Sequence, residues 1–339
     1  MRRRIFEKKR STLPALIGFL LMALVALPVC SGNPAEAGEE EETNAAAVPR
    51  LVVKGTQLMN DRGEPVQLRG VSYGWHNFWP RFYNASCVEW LVKDWHTQVV
   101  RAAMGVEPKG AYLSNPQQGL NCVQAVVDAA IKNHIYAIID WHSHGIRTEE
   151  AKTFFCQMAT RYRGVPNVIY EIFNEPVEDS WDAVKAYSME VVNVIRSIDP
   201  EALILVGSPH WDQDVHIAAD APLAHVHNIM YTLHFYANTH RQELRDRADY
   251  ALRKGLPLFV SECASMEATG DGPIDSVEWG KWLTWMNEHG ISWVTWSVSD
   301  KDETCSMLLP TASSEGHWRE SDLKEWGKMV RSELSIGIR

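Results

Sequence analysis

Between residues 49 and 335 the chain alternates short runs of consecutive apolar residues with longer stretches whose apolar positions recur every three or four residues. The short runs fall at Leu68–Ser72, Val99–Ala103, Tyr136–Trp141, Val168–Phe173, Leu203–Gly207, Ile229–His234, Leu258–Ser261 and Trp293–Ser297. Runs of this length fit strands covered on both faces. The periodic stretches between them, such as Val123–Asn133, Trp181–Ile198 and Trp279–Glu288, fit amphipathic helices. Eight strand–helix units in one uninterrupted segment predict an α/β fold, a (β/α)8 TIM barrel spanning residues 49–335 as a single domain. Just upstream, Leu51–Met59 and Pro65–Arg69 flank Asn60-Asp61-Arg62-Gly63 and predict a short N-terminal β-hairpin. An open doubly wound sheet is the structural alternative, but no glycine-rich dinucleotide turn follows the early runs.

The pattern before residue 49 is of another kind. Arg2, Arg3, Arg4, Lys8, Lys9 and Arg10 precede an almost unbroken apolar run from Leu13 to Val29. That is the pattern of a secretory signal peptide over residues 1–30, and the run is short for a membrane span, an uncleaved anchor being the alternative. Ala35-Glu36-Ala37 fits a small-x-small cleavage site. Cys30 offers a second possibility, a lipidated N-terminus that would tether the chain to a membrane. Residues 31–48, with Glu39 to Glu42 consecutive, are too polar to bury and predict a disordered acidic tether. The expected location is outside the cytoplasm: extracellular, periplasmic or on the cell surface. The net charge of −10 becomes −15 when residues 1–30, with six basic and one acidic side chain, are removed. Such a chain has no electrostatic footing for nucleic acid.

With 45% hydrophobic residues the chain has ample material for a large core, and most of its 14 Trp are expected there, Trp282 among them, together with Met286. A barrel concentrates its chemistry at the C-terminal ends of its strands. Read in order, those ends carry Arg101, then Asp140-Trp141-His142-Ser143-His144, Phe173-Asn174-Glu175-Pro176, Pro209-His210-Trp211, His234-Phe235-Tyr236, Ser261-Glu262 and Trp296-Ser297, with Lys301 and Glu303 just beyond. A single glutamate after a strand is usually a solvated rim charge. Glu175 and Glu262, on the fourth and seventh runs, would face each other across the barrel. Two opposed carboxyls suit glycoside hydrolysis, one protonating the leaving oxygen and the other attacking the anomeric carbon. The two must then differ in acidity, with the nucleophile ionised beside donors such as Arg101 and Tyr236 and the acid kept protonated by the nearby anion. His142 with His144, and His234 with His240, lack the spacing of a closed zinc site, so no metal or other cofactor is expected. No Gly-x-Ser-x-Gly elbow supports an esterase.

The segments Val99–Met104, Ile138–His142, Val168–Pro176, Leu233–Tyr236, Phe259–Glu262 and Trp296–Glu303, in this order, resemble glycoside hydrolase family 5, and within it the bacterial endo-β-1,4-glucanases. The likeness spans residues 49–335. It implies a retaining, endo-acting enzyme on cellulose and related β-glucans, with Glu175 as acid/base and Glu262 as nucleophile. By the same resemblance Asn174 would bind the sugar 2-hydroxyl, and Arg101 and Tyr236 would orient Glu262. His142 and His234 would line the cleavage subsite over Trp296. Trp211 would stack on the leaving-group side, Lys301 and Glu303 would grip hydroxyls on the non-reducing side, and Tyr112 would sit near those same subsites. A mannanase or xylanase of the same family, or a non-catalytic surface glycan-binding protein, is the alternative; the presence of both carboxylates speaks against the last. No carbohydrate-binding module is recognisable, which points to soluble or amorphous chains. A monomer is expected.

Two departures bear on substrate preference. Where relatives show Ser-x-His-Gly, this chain has Ser72-Tyr73-Gly74-Trp75-His76, leaving His76 or Trp75 to compensate. Where Trp-Gly usually follows the nucleophile, it has Cys263-Ala264. Past Cys30 there are five cysteines, an odd number. Neighbouring strands would bring Cys263 near Cys305, a candidate disulfide, with Cys87–Cys122 a weaker one; buried free thiols are the alternative.

Overall fold

A computed structural model describes residues 48–336. The signal-peptide, cleavage, lipidation and tether expectations concern the stretch before residue 48, outside the described residues.

The chain opens with an antiparallel hairpin of β1 (Leu51–Lys54) and β2 (Gln57–Asn60). Its turn lies at Gly55, which takes φ +60°, and not at 60–63 as expected from the sequence. The later segment does turn: Asn60 Oδ1 accepts from the backbone of Arg62 and Glu64. That turn leads only to one isolated bridge, Met59 to Pro65, because proline offers no amide to extend a ladder. Arg69 belongs instead to the first barrel strand.

Eight parallel strands then close on themselves in sequential order. They are β3 (Arg69–Tyr73), β4 (Val99–Gly105), β5 (Tyr136–His142), β6 (Val168–Glu171), β7 (Leu203–Val206), β8 (Ile229–Tyr236), β9 (Leu258–Ala264) and β10 (Trp293–Val298). Every expected strand is present, shifted at its ends by no more than a few residues. Helices pack outside and are capped as their sequences dictate. Ser180 accepts from the amide of Ala183 to start Trp181–Ile198, and Asp275 accepts from Glu278 to start Ser276–His289, which Gly290 ends at φ +65°. Trp95, Trp141, Trp279, Trp282, Trp293 and Trp326 are fully buried between strands and helices. Among the described residues no helix is long and apolar enough to cross a membrane.

The hairpin serves the barrel as a plug. Leu51 and Leu58 join Leu68, Val99, Tyr136, Ile138 and Phe259 in a separate apolar cluster. Asn228, just before β8, donates to Leu51 O and accepts from Val53 N, and the Tyr136 hydroxyl donates to Pro49 O at 2.7 Å. With the N-terminal end filled by apolar groups, polar chemistry is left to the C-terminal end.

Neither candidate disulfide forms: Cys87, Cys122, Cys263 and Cys305 are free. The Cys263 thiol donates to Val294 O at 3.3 Å and the Cys305 thiol to Glu303 Oε1 at 3.2 Å, so each sulfur is committed elsewhere.

Candidate active site

Arg101 on β4 is fully buried, and burying a guanidinium requires partners for its donors. It forms a two-pronged pair with Glu171 at the end of β6 (2.7 and 3.1 Å). It also lies 2.9 Å from Asp140 on β5, donates to Asn174 Oδ1 at 2.6 Å, and donates to Glu262 Oε2 at 3.1 Å. The other oxygen of Glu262 accepts from the Tyr236 hydroxyl at 2.8 Å. Glu262, inside β9, is the register partner of His234 on β8. Glu175 lies four residues past the end of β6, and its amide donates to Ser143 O. Its Oε1 is 3.0 Å from His234 Nδ1 and its Oε2 is 3.1 Å from His144 Nε2. One oxygen of Glu175, one of Glu262 and a ring nitrogen of His234 lie within 4.8 Å of one another.

These groups occupy the middle of a cleft that continues to both sides. One part, about 590 Å³, runs over Trp296 to Trp75, Phe78, Trp79, Lys301 and Glu303. The other, about 490 Å³, runs past His234 and His240 to Trp211. His144, Glu175, Tyr236 and Glu262 border both. His142 lines the first part with its ring stacked on Trp296, centroids 5.2 Å apart, and its Nδ1 donates to Asp140 at 2.7 Å. Lys301 and Glu303 form an ion pair with each other. Asn174 is buried, and its amide nitrogen has no partner.

Eleven of the twelve residues singled out in the sequence therefore surround or support one cleft. Tyr112 does not join them: it is buried edge-on against Trp141 and Phe154, behind β5, and borders neither part of the cleft. The question left at His76 and Trp75 is also answered. His76 is fully buried with neither ring nitrogen hydrogen-bonded, whereas Trp75 lines the cleft and packs on His142 and His144. Two glycines make room for this aromatic wall. A Cβ on Gly105 would come within 2.8 Å of Trp75, and one on Gly74 within 2.8 Å of Trp79.

In the sequence Asp140 and Ser261 stood at strand ends without an assigned role and Trp75 was one of two candidates, while Glu171, Phe78 and Trp79 were passed over. Asp140 and Glu171 share the Arg101 charge, the Ser261 hydroxyl donates to Glu171 at 2.7 Å, and Trp75, Phe78 and Trp79 build the wall. Glu171, within the apolar run Val168–Phe173, was the one findable signal, since a buried charge needs a partner.

The acidities of the two carboxyls depart from the sequence-based expectation. Burial and the charge of Glu175 push Glu262 up, against the pull of His234, Arg101 and the Tyr236 hydroxyl. Burial acts on Glu175 in the same sense, but hydrogen bonds from His144 and His234, and their charge, outweigh it and bring the carboxyl down to about 2. Both histidines are correspondingly raised, burial being overcome for His234 by Asp212, Glu171, Glu175 and Glu262, and for His144 by Glu175. His142, lowered by burial and by Arg101, stays neutral.

A closed parallel barrel with two carboxyls facing each other at its C-terminal end, on the floor of an extended cleft, has the architecture of the barrel glycoside hydrolases. The model of one such family, described as Cellulase (glycosyl hydrolase family 5), matches residues 59–302. The chain belongs to this family. It is 42% identical over 295 residues to Endoglucanase 5 of Pectobacterium carotovorum subsp. carotovorum, covering 85% of this chain and 58% of the relative. It is 43% identical over 294 residues to Endoglucanase Z of Dickeya dadantii, covering 85% and 66%. The chain thus spans less than two thirds of the length of these relatives. Among solved structures, the catalytic domain of Thermobifida fusca endoglucanase Cel5A superposes with a TM-score of 0.80 at 33% identity, over 84% of this chain and 97% of that one. A structure of that domain holds cellotetraose.

Proposed function

We propose that this chain is a retaining endo-β-1,4-glucanase acting on cellulose and related β-glucans, with Glu262 as nucleophile and Glu175 as acid/base. The observation that carries the reading is the approach of the Glu175 and Glu262 oxygens to within 4.8 Å at the centre of a cleft open on both sides. Inverting enzymes need about 6.5–9.5 Å between carboxyls to admit a water, whereas about 5–5.5 Å suits direct attack. A cleft that continues past the carboxyls in both directions lets a chain lie across them and be cut internally. The endoglucanase names of its relatives and the cellotetraose held by one structural neighbour support the substrate class.

In the first step a Glu262 oxygen attacks the anomeric carbon. The bond from that carbon to the leaving oxygen breaks, and the leaving oxygen takes a proton from Glu175. Arg101 and Tyr236 hold the two Glu262 oxygens by one donor each, which keeps the carboxylate ionised and aimed. The proton belongs to Glu175, His234 and His144 jointly. Moving it across the 3.0 Å bond from His234 Nδ1 makes Glu175 the acid without changing the net charge of the group. In the second step water attacks the same carbon, Glu175 receives its proton, and Glu262 leaves. Two inversions give net retention. The unpartnered Asn174 amide supplies a donor for the sugar 2-hydroxyl, and Trp296 and Trp211 supply apolar faces for rings on the two sides. The basic and apolar N-terminal pattern supports export of the chain to where polymeric glucan is found.

Glu262→Gln should abolish turnover of carboxymethylcellulose while cello-oligosaccharide binding persists, and Glu175→Ala should be partly rescued by azide. Near-native activity in either variant, or an α-anomer as first product by NMR, would refute the assignment. Mannan or xylan as the better substrate would redirect it within the family.

A further inference from the structure

Asp212 has no part in the reading above, yet it is the second carboxylate facing His234 along the edge away from Glu175. It closes the turn after β7, where His210, Trp211 and Asp212 take φ of 56°, 53° and 58°. Three successive non-glycine residues in the left-handed region are costly and persist only where the surroundings enforce them. Here the turn projects Trp211 into the cleft, 43% exposed, and folds Asp212 inward, fully buried. Asp212 Oδ1 accepts from the Ser208 amide at 2.5 Å. Its Oδ2 has no hydrogen-bond partner and lies 3.4 Å from His234 Nε2. Gly207 leaves it space: a Cβ there would stand 3.2 Å from Asp212 Oδ1 and 2.6 Å from Phe173 O.

The hydrogen bonds around His234 fix one of its protons. The Ser261 hydroxyl donates to Glu171, so Ser261 Oγ can only accept from His234 Nε2, 2.9 Å away. Nε2 therefore carries a hydrogen, and Nδ1, facing Glu175, is the position that gains or loses one. A buried anion beside the Nε2 edge favours the doubly protonated ring. The other charges around His234 are Glu171, 3.7 Å from Nε2, Glu175, and Glu262 on β9. From β4 comes Arg101, already engaged by Asp140, Glu171 and Glu262; from β5 comes the neutral His142. His144 sits on the far oxygen of Glu175. Burial pushes the Asp212 carboxyl well up, with the charge of Glu175 adding to it and His234, the Ser208 amide and Thr232 opposing, so the negative charge of Asp212 and the second proton of His234 stand or fall together.

We propose that Asp212 is a positioning residue that makes His234 the proton reservoir of Glu175, and so sets the pH above which the site can no longer protonate a leaving group. This rests on the reading of Glu175 as the acid/base.

The test is Asp212→Asn in the full chain. Asparagine tolerates the left-handed backbone and keeps the acceptor for Ser208 while removing the charge. Two readouts are taken: the titration of the His234 imidazole by nitrogen-15 NMR, and kcat/KM against pH for aryl cellobiosides with poor and good leaving groups. Loss of a buried negative charge at this range should move the His234 titration, and the alkaline limb for the poor leaving group, to lower pH by about one unit. The limb for 2,4-dinitrophenyl cellobioside, whose leaving group needs no proton, should stay in place. A folded variant in which His234 titrates as in the parent would overturn the proposal, whatever happens to the rate. If His234 shifts while both substrates respond alike, and Glu175→Ala also slows both alike, the fault lies in the role given to Glu175. Asp212→Ser provides a second uncharged variant, and failure of both to fold would assign Asp212 to structure alone and overturn the proposal.

Discussion

Tyr236→Phe isolates one of the two hydrogen bonds that hold the proposed nucleophile. The Tyr236 hydroxyl donates to Glu262 Oε1 at 2.8 Å in a buried setting, and phenylalanine removes that oxygen with almost no change of shape. Arg101 remains on Oε2 at 3.1 Å, so Glu262 keeps its counter-charge and its position. A hydrogen bond to a charged acceptor contributes about 1.5–3 kcal/mol. Because the bond is already made to the ionised carboxylate in the free enzyme, its loss shows as a smaller ionised fraction of Glu262, and kcat/KM at pH values below the shifted limb falls by about 10- to 150-fold. The loss raises Glu262 further, since burial and the Glu175 charge already push it up and Tyr236 opposes them. The reaction needs Glu262 ionised, so its acid limb must move to higher pH, by about one to two units for that energy. The assay is kcat/KM between pH 4 and 9 on a chromogenic cellobioside, with thermal unfolding as a control for fold. A loss under about threefold together with an unmoved acid limb would refute the reasoning, for the hydroxyl would then do nothing for the charged form of Glu262.

Three further outcomes are expected. Burial lowers His76 to about 4, while the unfolded chain protonates near 6.5, so the unfolded state takes up the proton first and stability falls as pH drops from about 6.5 to 4, by up to about 3 kcal/mol; thermal unfolding of His76→Leu should lose part of this slope, and an unchanged slope would count against it. Gly105→Ala should displace Trp75 from the wall of the cleft, visible as weaker cello-oligosaccharide binding by calorimetry with a modest fall in melting temperature; native affinity would show that the wall yields freely. Alkylation of denatured, unreduced protein followed by peptide mapping should label Cys87, Cys122, Cys263 and Cys305, and protection of Cys263 together with Cys305 would restore the disulfide excluded here.

Much of this molecule could be read from one dimension. Strand positions follow from apolar runs, because a strand covered on both faces must be apolar throughout, and the barrel follows from their number and their alternation with helices. Glu175, Glu262, Arg101, His142, His234 and Tyr236 were legible because a barrel places functional groups at strand ends. Other features depended on the chain meeting itself. The hairpin turn moved to Gly55 because Pro65 could not continue a ladder. Tyr112 packed behind β5 because Trp141 and Phe154 offered it an apolar seat. Between Trp75 and His76, the choice was made by the space that Gly105 leaves on a neighbouring strand. The relative acidity of Glu175 and Glu262 was set by which of them received the histidines, and Asp212 became part of the site only through a left-handed turn that brings it under His234. Local pattern determines which faces are buried, because burial acts on each segment's own side chains. Proton affinity depends on charges a few ångströms away in space, and their positions exist only once distant segments have packed.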